Sequence, residues 1–134
     1  MDVVKIKAGR WKYLVIARDD FSRWPETVAL TRLTAKLVSE WICRYGASKE
    51  VTVDGGAEFG KELQEEFKRA GSLIRIYKPY YPESQGMVER GHNQLKNALV
   101  KMCGEDGSKW KEYLPIVTLA DRISTKGTTG YSPF

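Results

Sequence analysis

The stretch KYLVIARDDFSRWPETVAL, residues 12–30, contains two apolar runs separated by a polar connection. Residues 12–17 are almost continuously apolar, which is typical of a strand covered on both faces. Residues 26–30 predict a second strand. Because residues 2–7 alternate between two faces, they predict a strand before this pair. Three strands joined by short connections predict an antiparallel meander.

The rest of the chain alternates between helical and strand patterns. The predicted elements are a helix over 34–46, a strand over 50–54, a helix over 60–70, a strand over 73–77, a loop over 78–86, and helices over 87–103 and about 109–124. Pro115 is expected to break or kink the last helix. This order predicts an α/β fold with a central five-stranded mixed sheet flanked by helices.

Composition excludes several kinds of site. The chain has 134 residues, one histidine and two cysteines, so it lacks the four Cys and His ligands of a structural zinc site. No apolar run approaches the ~20 residues of a membrane span. Cys43 and Cys103 are far apart in the sequence, which favours free thiols in a reducing compartment. The net charge of +5 permits an anionic partner without proving one.

Three carboxylates occupy positions suited to a metal site. Asp2 begins the first strand, Asp54 ends the fourth, and Glu89 lies near the start of the long helix. If strands one and four are neighbours, Asp2 and Asp54 can lie side by side with Glu89 above them. Three oxygen donors without His or Cys suit a hard cation such as Mg²⁺. The alternative is a frayed terminus, a turn residue and a partner of the helix dipole.

The long helix carries polar residues on two adjacent faces. Glu89, Asn93 and Lys96 share one face. The neighbouring stripe consists of Arg90, Gln94, Asn97 and Lys101. Such a surface suits contact with a phosphate backbone, although a solvated amphipathic helix shows the same pattern. His92 lies between the Glu89 face and the apolar stripe, where we expect a partly buried packing or hydrogen-bonding residue instead of a ligand.

A nucleotide-binding loop is a competing interpretation. Residues 55–62, GGAEFGKE, nearly match the phosphate-binding pattern and lie between a predicted strand and helix. Glu62 replaces the hydroxyl that would bind magnesium, and Asp54 and Glu58 add negative charge where phosphates would lie. The pattern therefore disfavours a nucleotide site.

Several motifs together resemble the catalytic core of retroviral and long-terminal-repeat retrotransposon integrases, particularly the gypsy type. The matching stretches are DV at 2–3, KYLVIARDDFSRWPE at 12–26, TVDGGAEF at 52–59, YYPESQGMVERGHNQLK at 80–96, WKEYLPIVTLA at 110–120 and TTGYSPF at 128–134. The acidic spacings, 52 positions and then 35, match the D,D,E pattern of that family apart from a second gap one residue shorter than usual. The resemblance implies a ribonuclease-H-like fold.

The resemblance also implies a function and a site. Asp2, Asp54 and Glu89 would be the catalytic residues and would bind two Mg²⁺ or Mn²⁺ ions. The expected activity is polynucleotidyl transfer, with 3′-end processing and integration of DNA. The residues expected to contact DNA are Tyr81, Gln85, Arg90, Asn93, Lys96, Asn97 and Lys101. A ribonuclease-H-like nuclease and a degenerate core that binds DNA or protein remain alternatives.

The expected partners are the DNA ends of the element, the target DNA and further copies of the chain, in the nucleus and without a membrane. Residues 1–134 would form one integrase core domain without the family's N-terminal zinc and C-terminal domains. Because Asp2 is almost terminal, we expect it to be weakly held and the activity to be weak. His92 stands where many relatives carry Asn. Asp19 and Asp20 are expected to be structural or second to the ligands.

Overall fold

A computed structural model describes residues 1–54, 60–77, 82–127 and 129–134, without the side chains of Asp54, Tyr77 and 82–89. The strands are β1 (Asp2–Lys5), β2 (Tyr13–Arg18), β3 (Pro25–Leu30), β4 (Glu50–Asp54) and β5 (Leu73–Tyr77). The helices are α1 (Lys36–Tyr45), α2 (Lys61–Arg69), α3 (Pro82–Cys103) and α4 (Trp110–Ile123), with a 3₁₀ turn at Gly107–Lys109. None of the described helices is long and apolar enough to cross a membrane.

The predicted meander is confirmed. Strands β1, β2 and β3 form an antiparallel sheet in which Asp2 lies opposite Ile16. Strands β4 and β5 form a separate parallel pair in which Asp54 lies opposite Tyr77. The described residues therefore form sheets of three and two strands instead of the predicted single sheet of five.

A hydrogen bond from Met1, instead of the expected strand ladder, links the start of β1 to β4 among the described residues. The amino group of Met1 donates to the carbonyl oxygen of Thr52 at 2.6 Å. This bond lies just before β1, which has only four residues, and among the described residues no strand pairing joins it to β4. The two sheets nevertheless share one core, because Val3 and Val53 belong to the same buried cluster.

Strand β2 separates two hydrophobic clusters. Val15 faces α1 and α2 and packs with Leu37, Val38 and Phe67. The other cluster lies on the α3 and α4 side and contains Leu14, Ile16, Leu95, Leu99, Trp110, Leu114 and Val117. Leu14, Val15 and Ile16 are at most 1% exposed. The apolar run over 12–17 thus forms a strand covered on both faces, as predicted.

One predicted boundary is wrong, and one helix is longer than a break at its proline would allow. Helix α3 begins at Pro82 and includes part of the expected loop over 78–86. Proline suits the first turn of a helix, where its missing N–H would have no intrahelical partner. Helix α4 continues through Pro115 without a break. Pro115 and Lys111 are exposed, so water can reach the carbonyl that proline leaves unbonded, while Trp110 and Leu114 hold the helix on the core.

Candidate metal and nucleic-acid site

Helix α3 lies over the start of β1. The Asp2 carboxylate forms an ion pair with Nζ of Lys96. His92, one turn before Lys96, places Nδ1 3.8 Å from the same carboxylate oxygen. The Asp2 side chain is 17% exposed and that of Lys96 is 30% exposed, so solvent still reaches the pair. Two sequence-predicted residues, Asp2 and Lys96, are therefore in direct contact.

The start of the chain is held more firmly than we expected from the sequence. The amino group of Met1 is bonded to Thr52, and the next residue, Asp2, is paired with α3 through Lys96. Met1 is thus attached to β4, and Asp2 is attached to α3, which packs on the core. These two contacts oppose the fraying expected of a terminal segment.

The backbone brings the other two predicted acids toward the same region. Thr52 lies two residues before Asp54, so the Met1 contact places the carboxyl end of β4 beside the start of β1. Glu89 lies seven residues before Lys96 in α3, which is about two turns and the same side of a helix. The side chains of Asp54 and Glu89 lie outside the described residues, so the three-acid site stays a prediction. Among the described side chains, no group of three His, Cys, Asp or Glu residues could hold a metal ion.

The remaining predicted contacts to DNA fall into two groups. Arg90, Asn93, Asn97 and Lys101 are exposed along α3. Tyr81 and the side chain of Gln85 lie outside the described residues, as do residues 55–59 of the motif that resembles a nucleotide loop. Helix α3 therefore presents a polar, partly cationic surface beside Asp2.

His92 is a neutral, buried side chain. It is only 5% exposed, and its pKa is lowered to about 4, mainly by burial and also by the positive amino terminus. Within the described part of the chain, Nε2 of His92 has no hydrogen-bond partner. The predicted packing role is confirmed by this burial. A neutral imidazole adds no positive charge beside Asp2, whereas Lys96 pairs with that carboxylate as a cation.

A cleft of about 1090 Å³ opens beside Asp2. Asp2, His92, Asn93 and Lys96 line it on the α3 side. It is also lined by Trp41 and Tyr45 of α1, by Asp19, Asp20 and Trp24 of the connection before β3, and by Glu26 of β3. Its volume lies at the upper end of the range of ligand-binding clefts, and its wall carries both carboxylates and aromatic rings.

Glu26 organises the aromatic wall of the cleft. Its carboxylate accepts hydrogen bonds from Trp24 Nε1 at 2.9 Å, from Arg122 at 2.9 Å and from the hydroxyl of Tyr45. Arg122 also lies over the Trp24 ring, with Cζ 4.2 Å from its centroid. Nothing in the sequence signals this cluster, because no local pattern links position 26 on β3 with position 122 on α4.

A buried ion pair joins β2 to α4 and lies against α3. Arg18 Nη2 lies 2.8 Å from Asp121, and the two side chains are only 3% and 9% exposed. Lys126 contacts the other oxygen of Asp121 at 2.7 Å, and Arg18 also donates to the carbonyl of Arg23. A Cβ added at Gly91 would lie 3.0 Å from Nε of Arg18. The guanidinium therefore packs directly against α3, two residues after Glu89.

Asp19 has a structural role, in agreement with the expectation from the sequence. Its carboxylate accepts hydrogen bonds from the backbone N–H and the hydroxyl of Ser22, both at 2.7 Å. These bonds lower the pKa of Asp19, the backbone bond most strongly. They stabilise the turn between β2 and β3 that forms one rim of the cleft.

The chain is similar to segments of retroviral polyproteins. It is 33% identical over 143 residues to the Gag-Pol polyprotein of feline leukemia virus and 32% identical over 143 residues to that of gibbon ape leukemia virus. Both matches cover the whole chain and 8% of the polyprotein. A third, avian reticuloendotheliosis virus, is 32% identical over 132 residues, 94% of the chain and 11% of the polyprotein. The chain thus spans about a tenth of these relatives, and no family model matches it.

Solved structures show the same fold. The catalytic core domain of BIV integrase superposes with a TM-score of 0.71 at 23% identity and covers 98% of this chain and 88% of that one. A chain in the simian T-cell lymphotropic virus intasome with PP2A regulatory subunit B56 gamma gives a TM-score of 0.75 at 19% identity, covering 98% and 50%. These likenesses confirm the predicted resemblance to a retroviral integrase catalytic core and the ribonuclease-H-like α/β fold.

Proposed function

We propose that the chain is the core of an integrase-type DNA strand transferase, in which Asp2, Asp54 and Glu89 are the catalytic acids. The observation that carries the proposal is the contact between Asp2 at the start of β1 and Lys96 on α3. It brings together two parts of the chain, 94 residues apart, that the D,D,E pattern requires to meet. The reaction would be attack by water or a DNA 3′-hydroxyl on a phosphodiester.

The three predicted acids would suit a pair of magnesium ions. Asp2 supplies carboxylate oxygens at the solvent-accessible edge of a cleft, and the predicted partners Asp54 and Glu89 supply oxygens of the same kind. Two bound Mg²⁺ or Mn²⁺ ions supply activation of the attacking oxygen and stabilisation of the leaving one. The neutral state of His92 leaves Lys96 as the side chain that can turn from Asp2 toward a DNA phosphate.

Helix α3 would position the DNA. Its exposed Arg90, Asn93, Asn97 and Lys101 can bind phosphate oxygens without reading sequence, and the resemblance adds Tyr81 and Gln85. Both the element ends and the target DNA would be bound, in the nucleus.

Association with further copies of the chain is supported by α4. Ile116, Leu119 and Ile123 lie at helical spacing along one side of this helix, and each is more than 40% exposed. Residues 1–134 would form a single core domain.

The deciding experiment measures cleavage and strand joining on a short DNA duplex with Mg²⁺ or Mn²⁺. We expect Glu89→Gln to abolish both, because it removes a charge and leaves the volume unchanged. It should also abolish the rise in melting temperature that Mn²⁺ causes in the unaltered chain. Glu105→Gln, which removes an exposed acid beyond α3, is the matched control and should behave like the unaltered chain.

Each alternative predicts a different result. A ribonuclease-H-like nuclease would cleave but never join strands. A degenerate core would bind DNA without turnover in either metal. Full activity of Glu89→Gln would refute the assignment of the acids.

A further inference from the structure

The hairpin between β1 and β2 carries a concentration of positive charge. Residues 3–13, VVKIKAGRWKY, contain four cations and no acid. Lys109 and Lys111 lie at the adjoining start of α4. We call the six residues that meet here the hairpin patch, which consists of Lys7, Arg10, Trp11, Lys12, Lys109 and Lys111. Its five cations are all exposed.

The hairpin patch is held rigidly by its surroundings. The tip of the hairpin packs on the 3₁₀ turn, since a Cβ added at Gly9 would lie 3.1 Å from the carbonyl oxygen of Ser108. Gly9 has a φ of +75°, a conformation that favours glycine. Lys12 Nζ donates to the carbonyl of Gly9 at 2.8 Å. Trp11 is half-buried and packs on the cluster between the sheet and α3 and α4.

The Trp11 ring binds neighbouring cations and is therefore not available for stacking of nucleic-acid bases. Lys111 Nζ lies 4.4 Å from the centroid of the Trp11 ring, and Cζ of Arg10 lies 6.0 Å from it. Both distances fall within the range of cation–π attraction. Because a cation already occupies the ring, stacking of an unpaired base on it is disfavoured. The ring therefore positions charge at the surface.

The charge of the hairpin patch is mostly uncompensated. Among the described residues, only Lys109 of this set forms an ion pair, with Asp106 at 3.4 Å. The other acids nearby in sequence, Glu105 and Glu112, are exposed and form no ion pair with the patch within the described chain. Several fixed cations without counter-charges repel one another, so a polyanion that binds them gains both attraction and relief of repulsion.

The patch is separated from the candidate metal site by the length of β1. Asp2 and Lys7 are five residues apart, which is about 17 Å along an extended chain. Duplex DNA rises about 3.4 Å per base pair, so a helix that contacts both places needs roughly five base pairs between them. A single duplex is therefore long enough to contact the hairpin patch while one of its strands reaches Asp2.

We propose that the hairpin patch is a second nucleic-acid surface, which binds the phosphate backbone of duplex DNA independently of its sequence. The choice of DNA as the polyanion rests on the proposed function, whereas the patch itself does not depend on the three acids. Arg10 and Lys111, supported by Trp11, would make the main phosphate contacts.

The test measures binding of a fluorescent 20-base-pair duplex of random sequence in EDTA, so that no chemistry is required. The variant is Arg10→Gln with Lys111→Gln. Log affinity decreases linearly with log salt concentration. If each residue contacts one phosphate, the magnitude of that negative slope should decrease by about two. The matched control is Lys36→Gln with Arg69→Gln, which removes the same charge from exposed side chains on α1 and α2. Circular dichroism verifies that both variants fold.

The two proposals fail in distinguishable ways. A weaker salt dependence of DNA affinity in the patch variant alone supports the second surface, even if the chain shows no metal-dependent cleavage. Equal slopes in the patch and control variants would overturn it, because net charge would then explain the binding. Unchanged DNA binding, with lost affinity for polyglutamate, would also overturn it and assign the patch to an acidic protein.

Discussion

Replacing Asp121 by asparagine is expected to lower the free energy of unfolding by about 3–5 kcal/mol. The substitution keeps the size of the side chain and removes its charge. It leaves Arg18, whose side chain is 3% exposed, without the carboxylate that lies 2.8 Å away. It also separates Lys126 from its partner at 2.7 Å. An uncompensated buried guanidinium is the main reason for the expected loss.

The measurement is urea unfolding at pH 7, followed by circular dichroism. With a slope of about 2 kcal/mol per molar urea, a loss of 4 kcal/mol moves the midpoint down by roughly 2 M. Glu40→Gln is the matched control, because it removes the acid of an exposed pair with Lys36 in which the side chains are 52% and 80% exposed. That change should cost less than about 0.5 kcal/mol.

A further variant separates lost charge from lost packing. Arg18→Met combined with Asp121→Leu removes both charges and keeps apolar volume, and it should recover most of the stability that Asp121→Asn loses. If Asp121→Asn changes stability by no more than Glu40→Gln does, the argument from burial is refuted.

Two further predictions concern residues 91 and 92 of α3. His92 is neutral in the folded chain because its pKa is lowered from 6.5 to about 4, so the unfolded chain binds a proton first as the pH falls. The free energy of unfolding should therefore decrease as the pH falls from 6.5 to 4, by up to about 3 kcal/mol. Urea titrations at pH 7, 6 and 5 should show that His92→Gln removes this pH dependence. An equal change of the free energy of unfolding with pH in both proteins would contradict the prediction. Gly91→Ala should lower the melting temperature despite a gain in helix propensity of about 1 kcal/mol, because its Cβ would meet Arg18, which Asp121 holds in place. A melting temperature at or above that of the unaltered chain would show that Arg18 can move aside.

The sequence determined the layers of the fold and the region of the site. The almost continuously apolar run over residues 12–17 favours a strand between two packed layers, and β2 lies there. Helical spacing likewise placed Asn93 and Lys96 on one side of α3, and both line the cleft beside Asp2. These features depend on local periodicity, which neighbouring residues specify by themselves. The placement of Asp54 and Glu89 in the site rests on the same kind of sequence pattern and stays a prediction.

Only the tertiary structure decided which distant side chains meet. Arg18 and Asp121 are 103 residues apart, and Glu26 and Arg122 are 96 apart, so no periodic pattern links them. The hairpin patch also needs Lys111 to pack over Trp11 from another element. The helix start at Pro82 depended on context too, since proline permits either a loop or a first turn. Such contacts form only when packing of the apolar layers brings the strand ends and helices together. Burial then excludes water, which strengthens the attraction between paired charges.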